Sequence, residues 1–143
     1  MPARLNRRRN PFLLFCLFLG LLLIVGCEDQ GQLPVRTLRI TINPSQRHEL
    51  FSQLQKFSEK HDLEIEISDY GTGGESYAVW MLRNSILIAA LHNRHDRDIV
   101  SVGFYDQTRA DPVSAKTLET MDNLLTDLVS FISEIPNVTV TEE

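Results

Sequence analysis

Two histidines and two carboxylates stand close together in His92-Asn93-Arg94-His95-Asp96-Arg97-Asp98. His-x-x-His on a loop can bring two imidazoles to one metal ion, with Asp96 and Asp98 as oxygen donors. Such a site would bind a metal or hydrolyse a bond with its help. Arg94 and Arg97 act against it by adding positive charge beside any cation. The simpler reading is a solvated hairpin tip. Glu64 and Glu66 share one side of a strand pattern, and paired carboxylates can divide general acid and base work. With no partner histidine in reach, they read as the wet side of that strand. Gly71-Thr72-Gly73-Gly74 would cradle a phosphate if a helix followed it. A strand follows instead, which makes it a flexible loop. Asn137-Val138-Thr139 fits a glycosylation sequon. None of these stretches makes a catalytic constellation, and none calls for a cofactor.

The remaining chemistry lies at Cys27. It ends an apolar run, Phe12 to Gly26, that follows Arg7, Arg8 and Arg9. A charged head, a short apolar body and a small residue before a cut describe a secretory signal. The run is roughly 15 residues, too short to span a bilayer. Its end, Ile24-Val25-Gly26-Cys27, resembles the lipobox of bacterial lipoproteins, which is aliphatic, small or aliphatic, small, then Cys. The resemblance covers residues 1–27 and concerns address rather than activity. It implies a thioether-linked diacylglycerol on Cys27, cleavage after Gly26 and acylation of the new amine. The competing readings are an ordinary secretory signal with an accidental Cys and an uncleaved anchor. Arg8-Arg9 also suggests a twin-arginine signal, but Pro11 shifts the spacing to Phe12, which favours the general secretory route. The residue after Cys27 is Glu28, not the Asp associated with inner-membrane retention, so the expected location is the periplasmic face of the outer membrane.

Removing residues 1–26 leaves 117 of 143 residues, enough for one domain with its own core. It takes away four arginines and no acid, so 10 basic side chains face 19 acidic ones, a net of −9 against −5 for the full chain. So acidic a surface repels phosphate backbones and excludes nucleic acid as a partner. Cys16 leaves with the signal and Cys27 takes lipid, so no disulfide staples the mature domain. Residues 27–34 form a tether of about seven residues beyond the lipid, holding the domain within roughly 25 Å of the membrane.

Residues 35–141 read as a single α+β domain. Val35–Ile42 alternates Leu38, Ile40 and Ile42 with polar residues, the period of a strand with one buried face. Asn43-Pro44-Ser45 breaks it, and Ser45 is a suitable N-cap for a helix over Gln46–Lys60. That helix carries Leu50, Phe51, Leu54 and Phe57 on one stripe and turns Gln46, Arg47, Gln53, Lys56 and Lys60 to water. Asp62–Ser68 is a second strand, with Leu63, Ile65 and Ile67 inward. Tyr77–Leu82 and Ile86–Leu91 read as a hairpin across Arg83-Asn84-Ser85. A single helix through Tyr77–His92 is the alternative, because Ala, Leu and Met are good helix formers. Asp98–Tyr105 is a further strand. Asp111-Pro112 is placed to open a last helix, as N-cap and first helical residue. Leu118, Met121, Leu125, Leu128 and Ile132 repeat along it, Pro136 ends it, and Val138 and Val140 belong to a short edge strand.

The sum is a mostly antiparallel sheet of five or six strands with two amphipathic helices on one face. By element order alone this resembles a ferredoxin-like unit with extra strands, which implies nothing about activity. The hairpin is apolar on both sides. If helices cover one side, either Tyr77, Val79 and Met81 or Ala78, Trp80 and Leu82 stay partly exposed, and aromatic residues in such a patch anchor partners. Trp80 and Tyr77 are the interface candidates. The expected function is a non-enzymatic interaction module on the membrane, binding an envelope protein or its own copies. A variant is an inhibitor or immunity-type protein docking a basic partner. The alternative is a small metal-binding or hydrolytic protein built on His92, His95, Asp96 and Asp98.

Overall fold

Alternation and helical stripes become a six-stranded sheet with two helices in the computed structural model, which describes residues 32–70, 76–93 and 95–143. Gly71–Gly74 and Arg94 lie outside the described residues, as do residues 1–31, on which the expected signal and Cys27 fall. The chain divides into two units at Gln32–Leu33, and all that follows belongs to Leu33–Glu143. The elements run β1 (Arg36–Thr41), α1 (Arg47–Lys60), β2 (Glu64–Tyr70), β3 (Ser76–Arg83), β4 (Ile86–His92), β5 (Ile99–Asp106), α2 (Ala115–Ile132) and β6 (Thr139–Glu142). The strand order is β2-β3-β4-β5-β1-β6, antiparallel at every step. Without the β3–β4 hairpin the elements run β-α-β-β-α-β, the ferredoxin-like order. The hairpin adds two strands between β2 and β5.

Residues 77–91 are strands and not a helix. The arms pair from Ala78 with Leu91 to Arg83 with Ile86. The turn is Asn84-Ser85, and Asn84 has φ of 52°. Asn tolerates that left-handed backbone better than most residues, which suits a two-residue hairpin turn. Helix formation at 77–91 would have left β2 and β5 without their central neighbours.

Both helices pack on one face of the sheet. Leu38, Ile40, Val79, Met81, Ile88, Val102 and Phe104 point into that face and are fully buried with Leu50, Leu54, Phe57, Met121 and Leu128 of the helices. Polar ties join the helices. Lys60 Nζ lies 2.7 Å from Asp127 Oδ2, and Gln53 Nε2 donates to Glu134 Oε2 at 3.1 Å. Phe57 and Phe131 meet edge to face at 5.9 Å between centroids. At the end of β1, Arg36 Nε donates to Asp122 Oδ1 of α2 at 2.8 Å. These ion pairs are exposed, so each contributes no more than about 1 kcal/mol. The apolar layer between helices and sheet stabilises the domain.

Four local expectations are corrected. Ser45 does not cap α1. Asn43 accepts from the Ser45 N–H at 2.9 Å and caps a single 3-10 turn, Pro44–Gln46, that leads into the helix. Asp111-Pro112 does not open α2. Ser114 does, its Oγ accepting from the Thr117 N–H at 3.1 Å. Several good capping residues stand near each helix start, and tertiary packing selects among them. Gln46, Arg47 and Gln53 do not face water but are half-buried, with the Arg47 guanidinium 4.9 Å from the Tyr77 ring centroid. Ile67 is 41 % exposed, because β2 is an edge strand and the helices do not reach its outer end.

Candidate interaction surface

The loop that carries the metal-ligand spacing is held together by other bonds. His92 Nε2 lies 3.0 Å from the carbonyl oxygen of Arg97, an acceptor, so this nitrogen carries the proton. Its ring stacks on Tyr77 at 4.9 Å between centroids. Nδ1 is buried and has no hydrogen-bond partner among the described residues. Asp96 Oδ1 accepts from the Asp98 N–H at 3.2 Å, and Asn93 Oδ1 accepts from the His95 N–H at 2.9 Å. These are turn-stabilising bonds. Among the described residues, no three of the His, Cys, Asp and Glu side chains converge as a metal would require.

Glu64 and Glu66 share one face of β2, as the alternation requires, and both are exposed. Their cross-strand neighbours on β3 are Leu82 and Trp80, not a titratable group. One His–Asp pair appears that no local pattern could have shown. His61 Nε2 lies 3.0 Å from Asp127 Oδ2, the same oxygen that binds Lys60. The Lys60 hydrogen bond chiefly holds the Asp127 carboxyl below the usual carboxylate range, with His61 adding to it. The two residues are 66 positions apart and meet only because α1 and α2 lie side by side. Lys60, His61 and Asp127 act as a clasp between helix surfaces.

The side of the sheet away from the helices is different in kind. Side chains at directly paired positions project to the same face, so register defines its rows. One row runs Glu66, Trp80, Ala89, Gly103 and Thr37 across β2, β3, β4, β5 and β1. The next runs Glu64, Leu82, Leu87 and Tyr105. On the other side lie Ser68, Ala78, Leu91, Ser101 and Arg39. Leu82 and Leu91 are each 39 % exposed, while Trp80, Leu87 and Tyr105 are half-buried. Tyr105 folds back along its own strand. A Cβ on Gly103 would stand 2.7 Å from the Tyr105 ring, so any side chain there would have to displace the ring. The small residues Ala78, Ala89 and Gly103 lie buried among these larger side chains. The result is an apolar patch with acidic residues on the β2 side and Arg39 on the β1 side.

Register therefore chooses between the two candidate sets on β3. Ala78, Trp80 and Leu82 occupy the open face, and Tyr77, Val79 and Met81 the helix-covered one. Tyr77 is withdrawn as an interface residue, being only 6 % exposed. It packs edge to face on Phe51 at 4.9 Å, and burial pushes its phenol up to about 12 against the opposing pull of Arg47. Leu87, Leu91 and Tyr105 belong to the patch and were not singled out from the sequence. Their alternation was visible, but which strands would stand beside β3 was not.

No helix among the described residues is long and apolar enough to cross a membrane. No protein-family model matches the chain, and no curated protein matches it.

Proposed function

We propose that this chain is a lipid-anchored protein of the bacterial envelope that acts as a non-enzymatic interaction module, docking a protein through the open face of its sheet. The observation that carries the reading is the apolar patch of Trp80, Leu82, Leu87, Leu91 and Tyr105 on the face opposite both helices. A contiguous exposed patch with aromatic residues at its centre is the usual form of a partner site. The lipobox-like Ile24-Val25-Gly26-Cys27 supports the address. On this reading Cys27 carries the lipid, the domain stands in the periplasm on a short tether, and Glu28 sends it to the outer membrane.

Two measurements test the reading. Cys27→Ser should abolish lipid attachment and leave the signal uncleaved by the lipoprotein pathway, visible as a mass difference. Acyl-free mature protein from the unmutated gene would sink the anchor. A pull-down from native envelope should recover a protein that Trp80→Ala loses while the domain remains folded. Equal recovery by both forms removes the open face as the docking site.

A further inference from the structure

Resting on the docking role of the open face, we infer that its partner is a second copy of this chain, stacked sheet on sheet about a two-fold axis parallel to the strands. The patch spans five strands from β2 to β1, and β4 is the middle one. An axis along β4 sets each β3 over the β5 of the other copy and each β2 over the other β1. Positions in one row then meet positions of the same row. Trp80 faces Gly103 of the second copy with the Tyr105 ring that covers it, Leu82 faces the Tyr105 position, and Ala89 faces itself. Such facing sheets pack about 10 Å apart with strands within about 30° of parallel.

Charge selects this axis. The open face carries Glu64 and Glu66 at its β2 side and Arg39 at its β1 side, all exposed. The axis along the strands places Glu66 over Thr37 of the second copy, and Arg39 stands two residues farther along the same strand, a step of about 7 Å. A long Arg side chain crosses that offset. Among the described residues Arg39 makes one long ion pair, 3.8 Å to Glu143, with its side chain 48 % exposed. A two-fold across the strands would instead lay β2 on β2 and set the glutamates against each other.

The tether is compatible with the same axis. Rotation about a line parallel to the strands leaves strand direction unchanged. Both copies then begin β1 at the same end of the dimer, where Cys27 of each can reach one membrane. A two-fold across the strands, or one pairing β2 edge to edge, sends the two β1 starts to opposite ends.

Sedimentation equilibrium of the full chain in detergent tests this. The unmodified protein should be a dimer, and Trp80→Ala should be a monomer that keeps the folded circular-dichroism spectrum. Arg39→Glu and Glu66→Arg should each raise the dimer dissociation constant by about tenfold, and the double variant should return to within about threefold of the unmodified value. A monomeric unmodified protein, or a double variant as weak as the two losses combined, overturns the pairing. If the protein is monomeric yet Trp80→Ala still loses an envelope protein in the pull-down, only self-pairing fails. If Trp80→Ala changes neither measurement, the docking role of the face fails with it.

Discussion

Ile88 and Leu91 lie on the same strand, β4, and point to opposite faces of the sheet. Replacing each with alanine removes the same number of carbons, so the difference in cost measures how the two faces are covered. Ile88 is fully buried between the sheet and the helices. Three lost carbons at about 0.8 kcal/mol each give about 2.4 kcal/mol, and the cavity left behind raises this to about 3–4 kcal/mol. Leu91 is 39 % exposed, and its cross-strand neighbours are Ala78 and Ser101. With two-fifths of its surface already in water and no enclosed space to leave empty, its loss should cost about 1–1.5 kcal/mol at most. Urea denaturation of dilute protein separates the two. With a slope of about 1.5 kcal/mol per M, Ile88→Ala should lower the midpoint by about 2 M and Leu91→Ala by less than about 1 M. Working in dilute solution matters, because a partner on the open face would add to the Leu91→Ala loss in proportion to its occupancy. Equal shifts at low concentration would mean that both faces are covered within one chain, and the open-face argument would fall.

Other outcomes follow from the same packing. Leu125→Ala, on the buried stripe of α2, should cost about 2–5 kcal/mol, while the exposed Lys116→Ala on the same helix should cost under about 0.5 kcal/mol; matching urea midpoints would show the stripe misplaced. Ser114→Ala should cost about 1 kcal/mol by removing the α2 cap, whereas Asp111→Ala should be nearly neutral; the reverse order in thermal melts would restore the cap to Asp111. Tyr77 makes alkaline stability a test of its burial. Its folded-state value lies above the ordinary 10.0, so the folded protein holds the phenolic proton more tightly than the unfolded chain. That stabilisation is complete below pH 10.0 and is lost as pH rises toward about 12, and Tyr77→Phe should flatten this part of the stability profile. An unchanged profile in Tyr77→Phe would contradict its burial.

The amino-acid order by itself determined the element list. Leu38, Ile40 and Ile42 alternate, and Leu118 to Ile132 repeat at helical spacing, because each buried face must be apolar at the period of its own backbone. The α+β class and the antiparallel sheet follow from that list. The composition also showed that residues 28–143 contain no cysteine and so no disulfide of their own. Other features depend on contacts far apart in sequence. Alternation says that Trp80 and Leu82 share a face, but either face of β3 could equally have met the helices. The covered face is the one that places Tyr77 against Phe51 and Arg47, and those contacts exist only once α1 has crossed the sheet. The His61–Asp127 pair and the rows joining Trp80 to Ala89 and Gly103 likewise arise from crossovers and register. Helix caps were ambiguous for a related reason. Asn43 and Ser45 are chemically equivalent acceptors, as are Asp111 and Ser114, and the position at which packing starts each helix selects one. Local periodicity reports which side chains belong together, whereas the tertiary structure alone decides what lies against them, because burial is a property of both surfaces in a contact.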